Sequence, residues 1–138
     1  VIPGLNDSSE ELWKAGRFLT SISPDIPWHV TAYHPDYKYN DAPPTPADTL
    51  QRAAEIGQEA GLRYVYAGNL PGKVGSLEDT HCPYCTQRLI HRRGYRLVEY
   101  NITDGGNCEF CGKPVAGVWG SNPLREERAG SGYPHPLK

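Results

Sequence analysis

HCPYC at residues 81–85 and NCEFCG at residues 107–112 hold the only four cysteines of the chain, Cys82, Cys85, Cys108 and Cys111, as two CxxC pairs with 22 residues between them. Two residues between cysteines let a tight knuckle turn both sulfurs inward, and two knuckles supply four ligands in a tetrahedron. No cysteine is left over. Four soft thiolates suit Zn²⁺ or iron and not a hard, oxygen-seeking cation. Zn²⁺ is the expected ion, with iron in a rubredoxin-like site as the alternative. A pair of disulfides fits less well, because nothing in the chain resembles a signal peptide. A thioredoxin-like redox role needs a CxxC that opens a helix after a strand, and both pairs here run into strand-like or Gly/Pro sequence.

Outward from the knuckles, residues 88–93 and 95–101 carry Leu89, Ile90, Leu97, Val98 and Tyr100, with Gly94 between them. They predict a β-hairpin. The loop Thr103-Asp104-Gly105-Gly106 then leads into the second knuckle, so that the sulfurs meet at one end of the hairpin. The result is a four-cysteine zinc ribbon over residues 78–119. A segment of this length buries too little apolar surface to stand alone, so the metal supplies folding free energy.

The first half has a helical rhythm. Asp7-Ser8-Ser9-Glu10-Glu11 is a capping signal, and Leu12, Ala15, Leu19 and Ile22 follow on one face as far as Ser23-Pro24. A strand is predicted over residues 28–33, then a polar loop to Pro44. A second helix opens with Thr45 as N-cap and Pro46 at its first position, buries Leu50, Ala53, Ala54 and Gly57, and stops at Gly61. A strand over residues 63–67 completes the series. Val1-Ile2 read as the end of a further strand, so residues 1–72 are α/β, with two α/β units of a parallel sheet or barrel whose other units lie upstream.

The chain has 138 residues, a formal net charge of −2, 38% hydrophobic and 22% charged residues, and no Met. This balance predicts a globular, cytoplasmic protein without whole-chain attraction to nucleic acid. Arg88, His91, Arg92, Arg93 and Arg96 form a local basic cluster that reads as a solvated hairpin face. Residues 120–138, rich in Pro, Gly and charge, read as a disordered tail.

Taken in order, IPGLND (2–7), PWHVTAYHPDYK (27–38), APPTP (42–46), GLRYVYAGN (61–69), the two knuckles and AGVW (116–119) resemble the C-terminal part of a radical SAM enzyme. The family is the one similar to pyruvate formate-lyase activating enzyme in the AmmeMemoRadiSam system, and the resemblance covers residues 1 to about 119. It implies the last units of a partial (β/α)6 barrel followed by the ribbon. It also implies a parent enzyme that holds a 4Fe-4S cluster through CxxxCxxC and cleaves S-adenosylmethionine reductively. That motif is absent from the chain, so this segment alone is not expected to form a 5′-deoxyadenosyl radical.

By the same resemblance, Ile2, Gly4 and Asp7 match the end of a GxIxGxxE motif that lies along S-adenosylmethionine, with Asp7 standing where the family has Glu. A tight turn into a capped helix explains Gly4 and Asp7 equally well. His34, Asp36 and Tyr37 follow the strand and are the catalytic candidates, a proton-transfer group, a carboxylate and a phenol in one loop. Turn chemistry at Pro35-Asp36 is the alternative. His29, on the strand itself, reads as a packing residue. The implied partners are the missing N-terminal half of the barrel, the other AmmeMemoRadiSam proteins and a protein substrate. A stand-alone zinc-ribbon module that binds nucleic acid or a protein partner is the competing expectation.

Overall fold

The computed structural model describes residues 1–36, 38–94 and 96–124. The chain is a small mixed α/β structure with two sheets, one parallel and one antiparallel. Helix α1 spans Ser9–Ile22 and is capped by Ser8, whose Oγ accepts the Glu11 amide at 3.3 Å and donates to the Glu11 carboxylate at 2.9 Å. This reciprocal pair satisfies an amide that has no partner within the helix. Strand β1 (Trp28–Thr31) and strand β2 (Val65–Gly68) are joined by helix α2 (Ala47–Glu59) and pair in parallel, Trp28 opposite Val65 and Thr31 opposite Gly68.

Both helices cover one face of this two-stranded sheet. Leu50, Ala53, Ala54 and Ile56 of α2 pack with Val30, Val65 and Ala67 in a closed core, and each of the two larger side chains, Leu50 and Ile56, is 0% exposed. Burying each contributes about 1.5–3 kcal/mol. Helix α2 ends where expected: Gly61 has φ +100, its amide reaches Gln58 O at 2.9 Å, and the Leu62 amide reaches Gly57 O at 3.1 Å. Those paired bonds close a Schellman turn, which needs a residue without Cβ at the left-handed position.

Two details of the expected helices are corrected. The buried side of α1 is Leu12 and Gly16, with Leu19 partly buried, while Ala15 and Ile22 face outward, Ile22 at 64% exposure. The reason is the close approach of α2, where a Cβ on Gly16 would stand 2.9 Å from that of Ala60. Thr45 is not the N-cap of α2; Pro46 takes that position without a side-chain bond. The Thr45 hydroxyl instead accepts the Tyr33 amide at 2.8 Å and donates to Val1 O at 2.6 Å.

Those bonds organise the C-terminal end of β1. The Val1 nitrogen donates to Thr31 O at 2.8 Å, so the first residue runs along the outer edge of β1. Among the described residues, β1 and β2 are the only strands of this sheet, and a barrel is not seen.

The second sheet is antiparallel, in the order β3 (Thr80–His81), β4 (Arg88–Arg93), β5 (Arg96–Tyr100). A short 3-10 helix over Gly75–Glu78 links it to the first half. The two halves are not separate in their packing. Tyr64 belongs to the hydrophobic cluster of the ribbon, its hydroxyl accepts the Ala116 amide at 3.2 Å, and the Tyr66 and Thr80 hydroxyls lie 3.1 Å apart. The expected tail is attached at its start, where Asn122 is buried and its side-chain amide donates to Tyr100 O at 3.3 Å. Residues 125–138 lie outside the described residues.

Candidate metal centre

The two knuckles are built alike. In the first, the Cys82 amide donates to Gln87 O and the Thr86 amide to Cys82 O, each at 2.9 Å. In the second, the Cys108 amide donates to Lys113 O and the Gly112 amide to Cys108 O, again at 2.9 Å. The residue after the second cysteine is left-handed in both, Thr86 with φ 62 and Gly112 with φ 71. Glycine adopts that conformation freely, whereas a β-branched threonine is strained by it. Sequence spacing alone produces the loop; the hairpin β4–β5 then brings the second loop back beside the first.

All four sulfurs lie within 4.8 Å of one another. The contacts between knuckles, Cys82 Sγ to Cys111 Sγ and Cys85 Sγ to Cys108 Sγ, are both 3.7 Å. A tetrahedron with Zn–S bonds of about 2.3 Å has edges of about 3.8 Å, so the donor set fits a tetrathiolate ion. Cys82 and Cys108 are each 1% exposed, whereas Cys111 is exposed.

Backbone amides prepare the sulfurs for charge. Burial pushes the Cys82 thiol up, but the Tyr84 and Cys85 amides and the neighbouring thiols of Cys85 and Cys111 outweigh it and bring its pKa down to about 7. The Gln87 amide pulls Cys85 down, yet burial and the adjacent sulfurs dominate and raise it to about 12. Cys111 is likewise raised, its Lys113 amide outweighed by burial and by Cys108 and Cys82. One thiolate thus forms readily, and the negative charge that follows opposes further ionisation unless a cation neutralises it. Four cysteines with no further ligand position make a closed site, the pattern of a structural ion.

The other candidates from sequence lie apart from the sulfurs. Gly4 is left-handed at φ 76, its amide donates to Asp7 Oδ1 at 2.8 Å, and the Ile2 amide donates to Asn6 Oδ1 at 2.7 Å, so the turn explanation accounts for these residues. His34 Nδ1 lies 3.4 Å from Asp36 Oδ2, both exposed, beside a hollow of about 590 Å³ at the C-terminal ends of β1 and β2. Tyr37 lies outside the described residues. His29 is exposed on the sheet face away from the helices and stacks on Tyr66, with ring centroids 4.7 Å apart.

The basic cluster is largely consumed by internal bonds. Arg88 pairs with Glu99 at 2.7 Å, and Arg92 donates to Glu78 O at 3.3 Å and to Thr80 Oγ1 at 3.0 Å. His91 is held by Asp79, a buried residue that sequence analysis did not single out. Its partner lies 12 residues away across the sheet, and no local pattern announces such a pair. Arg93 and Arg96 remain exposed, opposite each other at the hairpin tip.

No protein-family model matches the chain, and no solved structure matches it. It is 37% identical over 117 residues to an uncharacterized protein of Methanocaldococcus jannaschii, a match that covers 83% of this chain and 34% of that protein. The chain therefore spans about a third of the length of the curated relative it matches. No helix among the described residues is long and apolar enough to cross a membrane.

Proposed function

We propose that the chain is the C-terminal, metal-carrying part of a radical SAM enzyme of the AmmeMemoRadiSam type, in which a zinc tetrathiolate keeps the ribbon folded against the last α/β units. The convergence of four sulfurs within 4.8 Å carries the metal assignment. Zinc is preferred because four thiolates with backbone amide donors and no open position suit a structural, redox-silent ion. Iron in the same cage would instead serve electron transfer.

The parentage is supported by the ordered motifs, by a β-α-β unit whose outer edge already carries the Val1 nitrogen, and by a relative about three times as long. In this reading Ile2, Gly4 and Asp7 border the S-adenosylmethionine site, and His34 and Asp36 face the substrate, with Tyr37 kept as the third catalytic candidate by the resemblance alone. The N-terminal half of the barrel is the partner within the same protein. The other AmmeMemoRadiSam proteins and a protein substrate are the partners outside it, and the compartment is the cytoplasm.

Elemental analysis of the purified chain with an absorption spectrum tests the metal: one zinc per chain without colour is expected, and a metal-free reduced protein would sink the assignment. The parentage is tested in the longer protein that carries this segment. After anaerobic reconstitution with iron and sulfide it should show a reducible 4Fe-4S signal and release 5′-deoxyadenosine from S-adenosylmethionine; a longer protein lacking both is not a radical SAM enzyme. A second reading, a ribbon that binds nucleic acid, rests on the exposed Arg93–Arg96 pair, since like charges opposite each other cost stability unless an anion lies between them. Salt-dependent oligonucleotide binding lost on replacing both arginines would favour it.

A further inference from the structure

A cavity of about 640 Å³ opens between the helix-free face of the β1–β2 sheet and the ribbon. It is a separate place from the sulfurs and from the hollow beside His34, and none of the residues assigned above to S-adenosylmethionine or to substrate lines it. Its volume lies within the range of roughly 300–1,000 Å³ found for small-molecule sites, and such sites prefer the seam between two packed units. The walls are aromatic: His29 and Tyr66 from the sheet, Tyr64 from the start of β2, and Trp119 from the end of the ribbon.

The polar groups on this wall are fixed. His29 stacks on Tyr66 with an interplanar angle of 19°, and Arg92 stands over the same Tyr66 ring at 5.9 Å. Both groups lie against Tyr66 and both line the cavity, and His29 remains exposed. Thr80 Oγ1 ties two of the three together, bonded to both the Tyr66 hydroxyl and Arg92. The Arg92 guanidinium donates to two neutral oxygens, Glu78 O and Thr80 Oγ1, while its backbone amide donates to the Asp79 carboxylate. Asp25, at the other end of the cavity, is paired with Arg63 at 3.0 Å. Glu78 has a carboxylate oxygen 3.5 Å from the Gly72 amide.

We propose that this cavity binds a planar heteroaromatic ring bearing an anionic group, of the nucleoside monophosphate class, with the ring stacked against His29 and the anion drawn to Arg92. The exposed His29 ring offers a flat π-face on the same cavity, and a guanidinium already fixed in orientation binds an anion with little further ordering. Trp119 also lines the cavity. It is itself fixed, its indole N–H donating to Val115 O at 2.7 Å.

Guanosine 5′-monophosphate is the probe, titrated into the zinc-loaded full chain by calorimetry and by the Trp119 indole N–H resonance. Guanosine and inorganic phosphate serve as half-ligands. The monophosphate is expected to bind more tightly than either half and to shift the Trp119 signal. Arg92→Gln should reduce its affinity roughly tenfold, toward that of guanosine. His29→Ala should weaken guanosine and the monophosphate alike, roughly tenfold, since base stacking on a side chain is worth that much. His29 is exposed and its ring contact is Tyr66, so this variant folds even where Arg92→Gln disturbs Thr80. Metal content and melting temperature verify the fold. No heat and no Trp119 shift at millimolar monophosphate would overturn the proposal, and so would binding that survives both substitutions unchanged.

Discussion

Both carboxylate oxygens of Asp79, the residue between the 3-10 helix and β3, lie 2.9 Å from Nδ1 of His91 on β4. The carboxylate is 6% exposed, also accepts the Arg92 amide at 2.9 Å, and lies 3.6 Å from the Arg88 guanidinium. Burial by itself would raise its pKa, but the Arg92 amide, the His91 bond and charge, and Arg88 outweigh that and hold it below the usual carboxylate value of 3.8. A carboxyl depressed in the folded state contributes stability that is fully present above its unfolded pKa and is lost as pH falls through the folded one. Asp79→Asn should therefore cost about 2 kcal/mol at neutral pH, with the gap to the native chain narrowing below about pH 4. Denaturant melts of both proteins in excess zinc at pH 7 measure the cost, and carbon NMR of the Asp79 carboxyl in the zinc-bound chain follows its titration; equal stability at pH 7, or an Asp79 carboxyl that protonates above the usual carboxylate range, would contradict it.

Thr86 and Gly112 occupy the same left-handed position in their two knuckles, and only one of them is glycine. Replacing Thr86 by Gly relieves a strain of about 1–2 kcal/mol, offset in part by backbone entropy. The Thr86 hydroxyl donates to the adjacent Cys85 O at 2.7 Å. Thr86→Gly is expected to raise the melting temperature and leave zinc stoichiometry intact, whereas Gly112→Thr should lower both stability and zinc affinity. A destabilised Thr86→Gly protein would mean that the strain is absent.

Removal of the metal should act unevenly across the chain. The ribbon cluster contains Cys82 and Cys108 themselves, while the helical core around Leu50 and Ile56 does not. Chelation, or Cys108→Ser, should speed amide exchange in β4 and β5 by orders of magnitude and leave α2 far better protected. Uniform loss of protection would instead show that the α/β half depends wholly on the metal, through Tyr64 and Tyr66.

Gly57 lies flat against the Trp28 indole, and a Cβ there would stand 2.5 Å from Cζ3. Gly57→Ala must displace the ring or separate α2 from the sheet, at a cost of about 1–3 kcal/mol by overpacking. Helix propensity alone favours Ala by about 1 kcal/mol, so the two effects have opposite sign and a thermal melt decides between them. A stabilised variant would indicate that Trp28 has room to move.

Much of this architecture was legible residue by residue. Ser8 caps α1, Gly61 ends α2 and Gly94 follows β4, because each property depends on a few consecutive residues. Thr45 was misassigned for the complementary reason. Its type and position suit an N-cap, but its hydroxyl is engaged by Val1 and Tyr33, 44 and 12 residues away. Gly16, and not the expected Ala15, is buried likewise, because the closeness of α2 is not encoded in α1.

The sequence by itself determined the two cysteine loops and hence the four candidate ligands, since a CxxC knuckle is a local structure. Only the tertiary structure decided where charge is spent and where space is left. Asp79 meets His91, Arg92 lies over Tyr66, and a cavity remains beside the sheet, because these relationships join side chains brought together by packing from distant parts of the chain.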